Sequence, residues 1–138
     1  MGFLDDLFSA FQRPPNNGRA FVPRVVRLIE KTDSWSVDVP AGGTAEIMGR
    51  VTAVPETYRK VALYCGTLLA WSFIVWQILE NGAVKMTFRD PIGFPGLPGS
   101  ITPLSISQGN RISVNGVNTT ANPVSMGITL TWDEEHRR

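Results

Sequence analysis

A single cysteine, Cys65, and a single histidine, His136, are all that this 138-residue chain holds of two versatile side chains. One cysteine excludes an internal disulfide. One cysteine with one histidine cannot supply the four ligands of a structural zinc site. With its only histidine in the polar tail, the folded body has no Ser–His or Cys–His pair and no histidine base. No glycine-rich loop opens a helix in the manner of a phosphate cradle. Asp33, Asp38, Glu46, Glu56, Glu80 and Asp90 are scattered through strand ends and turns, so no spacing calls for a paired acid and base. The reading is a non-enzymatic chain with no metal, no cofactor and no small-molecule substrate.

Charge is scarce as well. Asp, Glu, Lys and Arg make up 18% of the residues, below the usual figure of about 25%. The net charge of +1 gives the whole molecule no strong electrostatic reason to seek nucleic acid. The basic residues Arg13, Arg19, Arg24, Arg27 and Lys31 gather early in the chain, opposed locally by Glu30 alone. Such a segment can touch phosphate or anionic lipid, or it can be a strand edge whose charge discourages edge-to-edge pairing. The opening MGFLDD lacks a secretory pattern, and Asp6 stands where a myristoylation signal wants Ser or Thr. With one free thiol, these absences point to assembly in a reducing compartment.

Against this scarcity stands one long apolar run. Positions 61–79, VALYCGTLLAWSFIVWQIL, carry no charge over nineteen residues, close to the length of a membrane-spanning helix. The run is rich in aromatic and β-branched residues, which suit a pleated surface. It is closed by Asn81-Gly82, the strongest short hairpin signal, and the return strand follows over 83–88. It is therefore expected to form two strands, 60–65 and 68–79, broken at Gly66-Thr67. In the second of these, Trp71 and Trp76 would fall on opposite faces, which argues against a carbohydrate-stacking platform.

Strand signals fill the rest. Positions 22–29 are β-branched, and Trp35, Val37 and Val39 alternate with polar neighbours. Over 44–54, Ala45, Ile47, Gly49, Val51 and Ala53 alternate with Glu46, Met48, Arg50 and Thr52. Leu104 and Ile106 lead to a Gln108-Gly109-Asn110 turn. Ile112 and Val114 run to Asn115-Gly116, and Asn118 to Pro123 form a turn cluster. Val124, Met126, Ile128, Leu130 and Trp132 then alternate cleanly before the tail 133–138. The sum is an all-β antiparallel sandwich of seven to nine strands over 19–138. Asn118-Thr119-Thr120 fits the N-glycosylation pattern, but Asn and Thr here serve turn formation better.

Two segments stand outside that pattern. Phe3, Leu4, Leu7, Phe8 and Phe11 share one face of a short amphipathic helix, stopped by Pro14-Pro15 and linked by Asn16-Asn17-Gly18. Ten residues cannot hold a helix alone in water, so this arm, 1–18, needs a surface to dock on. The Pro/Gly loop 90–99, DPIGFPGLPG, offers Phe94 and Leu97 as contacts.

The half from Val61 to Trp132 resembles the jelly-roll modules of small structural proteins of virus particles. The features that carry it are the long aromatic strand ending in Asn81-Gly82, the Pro/Gly loop, Thr102-Pro103-Leu104 leading to Gln108-Gly109-Asn110, and the 118–124 turn before the last strand. The resemblance implies a jelly-roll fold and a building block of a virion (capsid, spike base or cement). Its partners would be copies of itself or other particle proteins, gripped by the arm residues, with assembly in the host cytoplasm. Two other readings remain: a membrane-associated protein anchored by the arm or by 61–79, and a carbohydrate- or ligand-binding sandwich.

Overall fold

The computed structural model describes residues 25–89 and 98–137. Eight strands account for most of them: β1 Val26–Val39, β2 Thr44–Val51, β3 Glu56–Cys65, β4 Ile74–Glu80, β5 Ala83–Phe88, β6 Gly99–Ile106, β7 Arg111–Asn118 and β8 Val124–Arg137. They form two four-stranded antiparallel sheets, ordered β1-β8-β3-β6 and β2-β7-β4-β5. The pairings are nested: β4 with β5, β3 with β6, β2 with β7 and β1 with β8. One long hairpin with its tip at β4–β5 is thus folded over on itself. The inner faces meet in a single apolar core drawn from both sheets, including Val39, Tyr58, Leu63, Trp76, Ile78, Val114, Ile128 and Leu130.

Local chemistry explains the joints. Asn81 and Gly82 both take positive φ, 50° and 84°, which suits a two-residue turn matched to the strand twist. Pro103 sits in β6, an edge strand of its sheet, where a missing N–H costs least. On β8, Gly127 leaves room for the Tyr64 ring, which crosses it from β3 and donates its hydroxyl to the Trp35 carbonyl at 3.3 Å.

Several expectations are corrected. The predicted strand 68–79 is divided: Leu68–Phe73 is a short 3-10 helix, and only Ile74–Glu80 is strand. The change of direction after Gly66 passes the chain from one sheet to the other, which a straight strand cannot do. The regular alternation expected over 44–54 breaks at a bulge between Glu46 and Met48. Ile47 and Met48 are both buried there, and beyond it Arg50 and Thr52 face inward while Val51 is exposed. Asn115-Gly116 is strand interior in β7. A Cβ at Gly116 would lie 2.8 Å from Met126 Sδ, so this glycine serves packing between the sheets. Strand signals read separately at 22–29 and 35–39 are joined from Val26 onward in the continuous β1, and the charged tail continues β8 as far as Arg137.

Candidate functional site

The described residues offer two places where chemistry converges, one at each end of the β8 strand. Near its C-terminal end lies a buried ionic and aromatic cluster. Glu56 opens β3 with the alternation that puts it on the same face as Tyr58, and both side chains are buried. Arg50, turned inward by the β2 bulge, holds Glu56 with two hydrogen bonds of 2.9 and 2.6 Å. Tyr58 donates its hydroxyl to Glu56 Oε1 at 2.6 Å, and Arg50 Nη2 donates to the same hydroxyl at 2.6 Å. The Arg50 guanidinium lies 4.7 Å from the Trp132 ring centroid. Trp132 in turn stacks on Tyr58 and Trp35, with centroids 5.3 and 6.3 Å apart.

The electrostatics make this cluster a clamp. Burial first, then the hydrogen bond to Glu56 and its charge, pushes the Tyr58 phenol far above its ordinary range. Farther along β8, burial works against the Glu134 carboxylate. Hydrogen bonds from His136 and Trp132 outweigh it, helped by the Lys31 and His136 charges, and hold Glu134 below the usual range. Among the described residues no buried side-chain nitrogen or oxygen lacks a hydrogen-bond partner. The carboxylate and the phenol are thus engaged with one another, and the arrangement ties β2, β3 and β8 together.

At the other end lies an open apolar groove of about 450 Å³ between the 3-10 helix and the β7–β8 loop. Ala70, Phe73, Thr119, Ala121, Pro123 and Val124 line it, and Phe73 is 56% exposed at its rim. Asn118 builds the loop from inside. It is 1% exposed, its Nδ2 donates to the carbonyls of Val39, Pro40 and Asn122, and its Oδ1 accepts from the Thr120 N–H and hydroxyl. The Asn-Thr-Thr sequence is therefore a turn device, its amide turned into the fold. No ionisable side chain lines the groove, so it is suited to receiving an apolar group and not to moving protons.

The arm residues Phe3, Leu4, Leu7, Phe8 and Phe11, and the loop residues Phe94 and Leu97, lie outside the described residues. Of the tryptophans whose side chains are described, Trp35 and Trp132 stack between strands, and Trp76 is buried with its indole donating to the Gly127 carbonyl at 3.0 Å, so these three form no platform. No helix among the described residues is long and apolar enough to cross a membrane, and 61–79 is shared between β3, the 3-10 helix and β4. The Arg50–Glu56–Tyr58 clamp was missed by sequence reasoning. Its signal was the i, i+2 pair Glu56 and Tyr58 just after Pro55, an acid on the face of a strand that must turn inward. Comparison with protein-family models and with curated proteins returns no match for this chain.

Proposed function

We propose that this chain is a non-enzymatic structural subunit with a jelly-roll fold, a building block of a virion assembled in the host cytoplasm. The observation that supports it best is the nested strand order. A jelly roll is a double sheet of eight antiparallel strands, and the orders β1-β8-β3-β6 and β2-β7-β4-β5 fit a long hairpin rolled into two sheets. The buried polar cluster is consistent with this reading, because Arg50, Glu56 and Tyr58 are engaged with one another and lock strands together. The subunit joins copies of itself or other particle proteins through the arm 1–18 and through its sheet surfaces. Five large apolar arm residues contribute about 1.5–3 kcal/mol each when buried, enough gross energy to offset ordering the linker.

Light scattering on the purified full-length chain tests the proposal, with a discrete symmetric assembly expected. Removing residues 1–18 is expected to leave a folded protein that stops at a smaller unit. A full-length chain that stays monomeric at about 100 µM, well above the affinity range of stable subunits, would refute the assembly role. Unchanged assembly after the deletion would refute the part given to the arm. A second reading, a ligand-binding module, is favoured by the apolar groove beside Phe73. It predicts saturable quenching or shift of tryptophan fluorescence by a small apolar or glycan ligand, abolished by Phe73→Asp.

A further inference from the structure

β1 is fourteen residues long, and among the described strands it has a neighbour on one side only, β8. Among the described residues no strand pairs with its other side, which makes that edge a template for a further strand. Its exposed apolar residues, Val26 at 48% and Leu28 at 63%, lie on the same strand. Charge on such a strand usually blocks pairing, so the position of each charge decides what can pair here.

We infer that β1 pairs antiparallel with β1 of a second copy, about a two-fold axis at Thr32, joining two four-stranded sheets into one of eight strands. This rests on the subunit reading above and names the surface that such a subunit uses. In a two-fold pair, facing residues must lie on the same side of the sheet, so only registers centred on a residue are open. Centring on Glu30, Lys31 or Asp33 sets that residue against its own copy, like charge against like. Centring on Ser34 sets Glu30 against Asp38, and on Ile29 sets Arg27 against Lys31. Each of these is penalised.

Centring on Thr32 has none of these conflicts. Lys31 meets Asp33 of the second copy and Asp33 meets its Lys31, giving two ion pairs from one register. Ile29 faces Trp35 on the same side, again twice, and Glu30 faces Ser34 on the other. The register also brings residues 26–38 into full overlap, nearly the whole strand. The charges of β1 thus exclude five neighbouring registers and favour the sixth, which is how charge fixes register and partner in other paired elements. Lys31 and Asp33 are both exposed, and neither enters the core cluster.

Sedimentation of the full-length chain tests this through charge reversal. Lys31→Asp places two acids opposite each other and Asp33→Lys two bases, and each alone is expected to weaken the two-fold contact about a hundredfold. The double variant K31D/D33K restores both ion pairs, and so does an equimolar mixture of the two single variants. Recovery of the dimeric unit in both cases is the expected result, with circular dichroism showing every variant folded. Single variants that assemble like the unaltered chain, or a mixture that does not recover, would overturn the β1 pairing while leaving the subunit reading in place. An unaltered chain that never associates would overturn both.

Discussion

Replacing Arg50 by methionine measures what holds a carboxylate inside this sandwich. Glu56 is 2% exposed and receives two hydrogen bonds from Arg50 and one from Tyr58. Methionine keeps an apolar stem near Trp132 but removes the charge and both donors. Breaking a buried ion pair on one side costs about 3–5 kcal/mol. Two features reduce that here. Tyr58 goes on donating, and the Arg50 side chain is 29% exposed, so its removal opens a path for water to reach the acid. The expected loss is therefore about 2–3 kcal/mol, intermediate between a lost charged hydrogen bond and a lost buried pair. For a domain of this size each kcal/mol moves the midpoint by about 3–5 °C, so Tm should fall by about 6–15 °C. Urea unfolding followed by tryptophan fluorescence gives the free energy directly. Glu56→Gln alone is expected to cost about 1 kcal/mol, and R50M/E56Q should be less damaging than the sum of the singles by about 1–2 kcal/mol, because a neutral amide needs no counter-charge. Additivity within about 0.5 kcal/mol would show that charge does not hold Glu56 in place, and the clamp argument would fail.

Three further outcomes follow from the same packing. Tyr58 has a folded-state pKa raised well above that of an exposed phenol, so its contribution to stability is complete below about pH 10 and is lost as pH rises beyond that. Ultraviolet difference titration should show Tyr58 ionising only with unfolding; a reversible phenolate signal from both tyrosines in the folded chain would contradict this. Gly127→Ala places a Cβ against the Tyr64 ring with no room for it, forcing the ring aside and breaking its bond to the Trp35 carbonyl, and should cost about 1–3 kcal/mol in chemical denaturation. A neutral result would mean the ring moves freely. Asn118→Ala removes the donor to the Val39, Pro40 and Asn122 carbonyls and unbuttons the 118–122 loop, for an expected loss of about 2–4 kcal/mol, checked by calorimetry and by faster amide exchange in that loop. Unchanged exchange there would refute the role given to its amide.

How much of this was legible in the residues depended on whether the signal was local. The β4–β5 hairpin was readable because Asn81-Gly82 supplies both positive φ values and alternation flanks it. Val124 to Trp132 was readable because every second residue enters one core. Asn115-Gly116 is ambiguous for a physical reason: the same dipeptide that makes a turn also makes a strand position without a side chain, and only the opposite sheet, through Met126, decides which. The 3-10 helix at Leu68–Phe73 was hidden because an apolar, aromatic run suits a strand until the chain has to change sheets. The bulge in β2 was likewise invisible, since it arises from pairing with β7 and carries no residue signature of its own. The clamp of Arg50, Glu56 and Tyr58 depended on that bulge, which turns Arg50 toward the acid.

The nested order of the strands also bears on how the chain reaches its shape. Each pairing encloses the one before it: the β4–β5 turn joins neighbours, whereas Thr32 and Thr131 meet across 99 positions of sequence. Loop closure grows costlier with length, so the tip hairpin is the natural place to begin and the β1–β8 ladder the natural place to finish. β8 lies between β1 and β3, and it is also the last strand of the described chain. During synthesis β1 therefore waits without a partner until β8 has left the ribosome. A chain cut short before Val124 would lack the whole of the strand that bridges its first sheet, so an interrupted product is told apart from a longer one by whether the β1–β8 ladder can close.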